Sequence, residues 1–399
     1  DDDITDMDSM EDNLIFLGMV GIMDPPRSEV YDAIRRCQKA GIAVKMITGD
    51  QQMTAQAIGE DLNITKPHID SVGGEKLEEL DDDAMRHIVN GTAIFSRVTP
   101  EQKMRIVTAL QDEGEVVAMT GDGVNDAPAL SRANIGISMG IAGTDVAKDA
   151  SDMVLQDDNF ANIVNAVEEG RKIYANIRNF VRYQVSTNVA AVALLLLANV
   201  VFQLPLPLTA TQILVINILM DGPPAVALGV ERKHANVMDR PPRAVDESLP
   251  NLLDLLLIFY LGAVMVTGTL LVYYLALQNG TEAYAQTMCF SVFIVFQLFN
   301  VMNCRSNEHS VFKLGLFSNR AIYLAVFFSI TLLLLVVQGA AIVIPFTSFA
   351  IGELLSTIPL EQKDWFIIIL VASTVFMVEE FRKLLRYAGI FRVRTNKRA

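Results

Sequence analysis

The sequence predicts a two-part protein: an α/β cytosolic domain with a doubly wound parallel sheet, followed by an α-helical membrane domain. Three observations predict it. Residues 1–170 hold 33 acids and 13 bases, whereas residues 171–399 hold 13 acids and 19 bases. In the first part apolar runs alternate with amphipathic stretches, the pattern of strands and helices layered on both faces of a sheet. The second part holds several apolar stretches of about 20 residues, the length that crosses a bilayer core. These features exclude a single soluble globule. Three cysteines, Cys37, Cys289 and Cys304, are too few for a disulfide framework in 399 residues. The acidic first part argues against nucleic acid as a partner.

Taken in order, residues 1–13 form an acidic run with no basic or apolar signal region, which reads as the start of a truncated chain. Strands are expected at Leu14–Ile22, Ala43–Thr48, Ala93–Ser96, Val116–Thr120, Ile135–Ser138 and Met153–Leu155. Helices such as Arg27–Lys39, Gln51–Leu62 and Glu101–Asp112 fall between them. Residues 14–158 then make one domain, with Thr48-Gly49-Asp50 and Thr120-Gly121-Asp122-Gly123 at the carboxyl ends of strands, where such sheets bind ligands. Residues 159–184 read as a charged stalk helix running into the membrane. Spans are expected at about 185–202, 208–230, 252–277, 284–302, 321–345 and 365–378, six in all. Lys and Arg crowd the connections before the first span, between the second and third, between the fourth and fifth, and in the tail after the sixth. The other loops, 203–207, 278–283 and 346–361, hold none. By the positive-inside rule both termini and the α/β domain are cytosolic.

The nine residues Thr120 to Pro128 (Thr-Gly-Asp-Gly-Val-Asn-Asp-Ala-Pro) end a strand on a glycine-flanked carboxylate, with an amide and a second carboxylate close behind. Glycines admit an anion to the backbone, and hard carboxylate oxygens suit magnesium. Alone, Gly-Asp-Gly is also an ordinary turn. Thr48-Gly49-Asp50 offers a hydroxyl, a flexible backbone and a carboxylate for a phosphoryl pocket. Lys103 follows Pro100, which opens a helix whose first turn can carry a lysine toward a phosphate or simply into solvent.

With Asp24-Pro25-Pro26-Arg27 upstream, these motifs stand in the order and spacing of a P-type ATPase phosphorylation domain, which the chain resembles, a branch of the haloacid dehalogenase fold. The resemblance covers essentially the whole chain. It implies that Asp122 binds magnesium with Asn125 and Asp126 in support. It also implies that Thr48, Gly49 and Asp50 hold the transferred phosphate of ATP, that Lys103 neutralises it, and that Arg97 approaches the nucleotide. The Asp-Lys-Thr-Gly string that carries the phosphorylated aspartate in that family is absent. The chain therefore reads as the C-terminal portion of a pump, with residues 1–13 a remnant of the nucleotide-binding domain and hinge. The missing N-terminal part is then its partner, and the fragment alone is inactive.

Polar groups within a span are expensive and point to function. Asn217 and Asp221 are four residues apart, so a regular helix sets both on one face. Gly222, Pro223 and Pro224 follow and interrupt that helix, a device that frees carbonyls for ions. Asn188 lies at similar depth in the preceding span, although an asparagine there also serves to bond a neighbouring helix. Oxygen ligands of this kind suit calcium, with manganese the alternative. These segments resemble those of calcium pumps, especially the secretory-pathway type and its bacterial relatives. In sarcoplasmic-type pumps acids or a threonine stand where this chain has Ala191, Met220 and Gln297, which implies one transported Ca2+ per ATP, held by Asn217, Asp221, Asn188 and groups on a fourth helix outside this chain. The resemblance also implies a multi-pass protein of a bacterial plasma membrane. The rival from another class is a membrane-anchored phosphatase of the dehalogenase fold, which leaves Asn217 and Asp221 without a purpose.

Overall fold

A computed structural model describes residues 15–20, 25–66, 71–231, 237–244, 247–343 and 350–388. The chain divides into two compact units, Asp1–Gln38 with Ile42–Asn162, and Lys39–Gly41 with Ile163–Ala399.

The first unit alternates helix and strand. In order come α1 (Ser28–Lys39), β1 (Met46–Ile47), α2 (Gln52–Asp61), β2 (Val72–Gly73), α3 (Gly74–Glu78), α4 (Asp82–Gly91), β3 (Ile94–Ser96) and α5 (Pro100–Asp112). They are followed by β4 (Ala118–Gly121), α6 (Ala127–Arg132), β5 (Ile135–Met139), α7 (Asp145–Asp149) and β6 (Met153–Leu155). Every ladder is parallel, but the strands form two three-stranded sheets, ordered β1-β3-β2 and β4-β5-β6, in place of the single sheet expected. Met46 pairs with Ile94, and Ala118 with Ile135. Each of β1 and β4 keeps one unpaired edge among the described residues.

Helix α5 serves both sheets. Its Ile106, Ala109 and Leu110 pack with Phe95, Leu77 and Val89, while Val107 joins Met119, Leu130 and Ala147; Ile47 and Val117 border both clusters. The sequence makes this helix start firmly, because Thr99 accepts the Gln102 N–H and the Gln102 side chain accepts the Thr99 N–H, with Pro100 at the first helical position. The acidic run Asp81-Asp82-Asp83 opens α4: Asp81 accepts the Ala84 N–H at 2.8 Å, and the other two acids sit in the first turn, where the helix dipole favours them.

The strand expected at Leu14–Ile22 is not formed at residues 15–20, where Ile15, Phe16 and Leu17 are 83%, 81% and 96% exposed. A strand needs a neighbour to take its peptide groups, and among the described residues no strand pairs with this segment. The rest of that stretch at 14 and 21–22, the residues 1–13 and Asp24 lie outside the described residues.

The second unit is helical. It contains α8 (Ala161–Leu196), whose first two residues belong to the first unit, then α9 (Ala210–Val215), α10 (Gly222–Gly229), α11 (Leu252–Asn279) and α12 (Glu282–Cys304). After these come α13 (Val311–Leu314), α14 (Arg320–Gln338), α15 (Ile351–Leu355) and α16 (Gln362–Tyr387). Its centre is α12: 83% of its apolar window is buried inside the protein, against 28–44% for the other candidate spans. Phe290, Phe293 and Phe296 on α12 are fully buried, and a Cβ at Gly268 of α11 would stand 2.5 Å from the Phe296 ring, so α11 approaches closely because that position is glycine.

Five helical stretches among the described residues are long and apolar enough to cross a membrane: Ala161–Val201, Ala210–Gly229, Leu252–Asn279, Glu282–Cys304 and Arg320–Gln338. The expected sixth, 365–378, falls within α16, where Asp364 and Glu379 bound an apolar run shorter than a bilayer core. The expected span 321–345 ends early, at Gln338, because Gly339 turns the chain where a Cβ would meet the Leu335 carbonyl at 2.3 Å. The second span is not one α-helix but α9, a π-helical turn at Ile216–Met220, and α10.

The loop after β5 is shaped by two constraints. A Cβ at Gly143 would lie 1.9 Å from the Met139 carbonyl oxygen, so only glycine fits there. Asp158 accepts the N–H groups of Ile141 at 3.0 Å and Ala142 at 2.8 Å, bonds that hold its carboxyl below the usual carboxylate range. A depressed folded value means that this stabilisation is complete above the unfolded pKa of about 3.9 and is lost as pH falls through the folded value. Asp158→Asn is therefore expected to lower the melting temperature at neutral pH, with the deficit shrinking below about pH 4. A deficit that stays constant into stronger acid would show that the charge of Asp158 plays no part.

Candidate functional site

The first site is built where β4 ends. Gly121 admits Asp126 to the backbone, since a Cβ at Gly121 would lie 2.4 Å from the Asp126 Cβ. The Asp126 carboxylate, 7% exposed, takes the N–H groups of Asp122 at 3.3 Å and Gly123 at 3.2 Å through one oxygen. Through the other it takes Lys103 Nζ at 2.6 Å. Lys103 reaches it from the first turns of α5, the helix the two sheets share. Asp122 itself is exposed, as is Asn125, and the Asp122 carbonyl is fixed by the Thr144 N–H at 2.9 Å from the loop that Asp158 anchors. One carboxylate is thus fixed and neutralised while its neighbour is presented to solvent, free to bind a divalent cation.

The Thr48-Gly49-Asp50 turn stands at the end of β1. Thr48 Oγ1 donates to Asp50 Oδ2 at 2.9 Å and accepts the Asp50 N–H at 3.1 Å. Arg97, exposed and with φ of 49°, gives its N–H to the Asp50 carbonyl at 3.1 Å. No hydrogen bond joins this turn to the Asp126 knot among the described residues. The structure therefore assembles Lys103, Asp122, Asn125 and Asp126 as one group and Thr48, Gly49, Asp50 and Arg97 as another, each at the carboxyl end of an edge strand.

The second site lies in the membrane unit. Asp221 is 0% exposed and sits where the π-turn hands over to α10. The π-turn bonds the Asp221 N–H to the Ile216 carbonyl at 2.9 Å, and Pro223 and Pro224 bring no N–H, so the carbonyls one turn earlier lack their usual donors. Tyr183 on α8, fully buried, donates to Asp221 Oδ1 at 3.3 Å, and Thr187 lies beside the same carboxylate. Oδ2 has no partner, and no Lys, Arg or His bonds to Asp221 among the described residues. A buried, uncompensated carboxylate oxygen fits a cation.

Asn188 and Asn217 make no hydrogen bond to Asp221 among the described residues. Both are exposed, Asn188 lining an outward groove of α8 with Val189, Val192, Ala193 and Leu196. The widened turn between Asn217 and Asp221 rotates one against the other relative to a regular α-helix, so the two do not share a buried face. Gln297 on α12 is buried with neither amide atom hydrogen-bonded.

Sequence reasoning missed Tyr183, Thr187 and Thr144. Tyr183 closes the charged end of α8, and a tyrosine one turn before Ser186 and Thr187 on a helix entering a membrane was the available signal.

A paired-carboxylate loop on parallel sheets is followed, in the same chain, by an apolar helical unit with a buried acid at a break in a helix. The chain belongs to the P-type cation-transporting ATPases. Residues 205–385 match the family described as cation transporting ATPase, C-terminus, and residues 3–134 match haloacid dehalogenase-like hydrolase. Among its relatives are calcium-transporting ATPase 1 of Schizosaccharomyces pombe, 44% identical over 96% of this chain, and the calcium-transporting ATPase of Bacillus subtilis, 42% identical over 91%. A third is the human calcium-transporting ATPase type 2C member 1, 47% identical over 81%. The chain spans 42%, 40% and 35% of the lengths of those three proteins, respectively.

The Lys103–Asp126 pair yields a direct check. Lys103→Met leaves a largely buried carboxylate unpaired and is expected to destabilise the protein by about 3 kcal/mol, measured by denaturant unfolding. Adding Asp126→Asn is expected to recover much of the loss; a single variant as stable as wild type would show that Asp126 does not depend on Lys103.

Proposed function

We propose that this chain is the C-terminal part of a pump that uses ATP to export Ca2+ from the cytosol through an aspartyl-phosphate intermediate, one ion per cycle. The observation that carries the reading is Asp221: fully buried, placed at a broken helix, with one carboxylate oxygen lacking a partner among the described residues.

In the cytosolic unit, Asp122 holds Mg2+ with Asn125 and Asp126 behind it, and Lys103 offsets negative charge on the transferred phosphoryl group. Thr48, Gly49 and Asp50 receive that group's oxygens, and Arg97 lies on the nucleotide side. Magnesium supplies charge neutralisation at the phosphoryl oxygens. The nucleophilic carboxylate comes from a segment outside these 399 residues, since no Asp-Lys-Thr-Gly occurs in them. The open edges of β1 and β4, each ending in a phosphate-directed turn, support insertion of a further parallel strand between the two half-sheets.

In the membrane unit, Asp221 supplies the charged ligand and Asn217 and Asn188 further oxygens. Exposed amides at membrane depth support their being covered by helices of the missing N-terminal part. Counting α16 as a sixth span, its 26 residues extending beyond the short apolar run between Asp364 and Glu379, puts both termini on the cytosolic side and accounts for the asymmetry of Lys and Arg.

ATP hydrolysis by the full-length gene product in lipid vesicles, with calcium or manganese varied, tests the reading. Calcium is expected to stimulate hydrolysis, and Asp221→Asn to lower the stimulated rate by at least about 100-fold. Manganese stimulation in place of calcium reassigns the ion, and ion-independent hydrolysis that survives Asp221→Asn favours a phosphatase.

A further inference from the structure

The segment after Asp221 ends in a buried ionic knot that the ion site does not contain. Glu231 and Arg305 are 1% and 0% exposed, and their side chains meet in a two-pronged pair, Arg305 Nε to Glu231 Oε2 at 2.9 Å and Nη2 to Oε1 at 2.9 Å. Nη1 donates to the carbonyls of Gly315 at 3.3 Å and Leu316 at 3.2 Å, and Nη2 also meets Ser318 Oγ. All five guanidinium N–H groups are therefore used. Asn319, which caps α14, donates to Glu231 Oε2 at 3.0 Å and to the Ala227 carbonyl at 3.0 Å. From α8, Asn176 donates to the carbonyls of Gly229 at 3.0 Å and Glu231 at 3.1 Å, and Asn179 donates to the Arg305 carbonyl at 2.9 Å.

Helix α10 runs only from Gly222 to Gly229, about 12 Å at 1.5 Å per residue. At its start the hydrogen-bond ladder is interrupted by the π-turn and by Pro223 and Pro224, so the preceding helix does not fix its direction. Its position must be set from the far end, and that end is tied to α8, α12 and α14 by the Glu231–Arg305 knot. A fully satisfied buried ion pair adds little net stability over a well-packed apolar one, yet it admits few alternative arrangements.

We propose that Glu231 and Arg305 are a positioning pair for the ion site: by clamping the cytosolic end of α10 they set where the Asp221 carboxylate stands. This rests on the pump reading above. The clamp acts on ion affinity, because the groups it holds lie on the Asp221 helix and not at the phosphoryl site.

Calcium-dependent ATP hydrolysis by the full-length gene product in vesicles, followed against free calcium, tests it. Three variants are compared with wild type: Arg305→Lys, the charge-free double variant Glu231→Gln with Arg305→Gln, and Asn319→Ser. The last retains an α14 cap and the ion pair but loses the bonds to Ala227 and Glu231. The half-saturating calcium concentration is expected to rise about tenfold in the first two and about threefold in Asn319→Ser, with maximal rates within about twofold of wild type. A purely structural role would lower abundance and melting temperature with half-saturation unchanged, and that result in any variant that folds overturns the proposal. Should Arg305→Lys and the double variant fail to fold, an unshifted Asn319→Ser overturns it alone. A wild type that calcium does not stimulate overturns the pump reading and this role together.

Discussion

The arrangement of the membrane unit depends on one constraint: a carboxylate cannot stay ionised inside an apolar bundle without a counter-charge. Asp221 is buried, and its neighbours are a tyrosine hydroxyl and a threonine, neither of which carries charge. A lysine or arginine in that place would have neutralised the acid permanently. A hydroxyl orients it and leaves it without a fixed counter-charge among the described residues. The same economy shows in α8, whose polar groups between Asn176 and Ser186 reach neighbouring elements one after another: α10 through Asn176, α11 through Arg178 and Asp254 at 2.7 Å, and α12 through Asn179 and Ser186. A single helix thus reaches α10, α11 and α12 and also carries Tyr183 to Asp221.

The first unit solves the converse problem. Here Asp122 is open to solvent, while Asp126 behind it takes the lysine and the backbone donors. Glycine at 121 allows that close approach, and α5 brings the lysine because its start is fixed by Thr99 and Gln102. The two half-sheets share α5 as a common core element, which holds the ends of β1 and β4 in one unit without a ladder between the sheets among the described residues.

Much of this was readable in the sequence because it is local. The Thr120 to Pro128 string, the proline-led start of α5 and the long helix through residues 161–196 are each set by a few neighbouring residues. The apolar spans were readable for the same reason, except where a single glycine or acid shortened them. What escaped depends on distant partners. Residues 15–20 have the composition of a strand but no ladder to join, so periodicity alone misplaced them. Asn217 and Asp221 share one face on a regular α-helix, and the π-helical turn at Ile216–Met220 turns one against the other. Glu231 and Arg305 are 74 residues apart and look like ordinary charges flanking spans; only the packing of α10, α12 and α14 shows them buried together. Tyr183 and Asp221, 38 residues apart, escaped in the same way.

The most direct test concerns the vacancy of charge at Asp221. Equilibrium binding of radioactive calcium to the purified full-length gene product, without nucleotide, measures whether the buried carboxylate recruits a cation on its own. One tightly held ion per polypeptide, competed by manganese and indifferent to sodium, is the expected result. Two ions per polypeptide, or no saturable binding at all, would contradict a single site organised around Asp221.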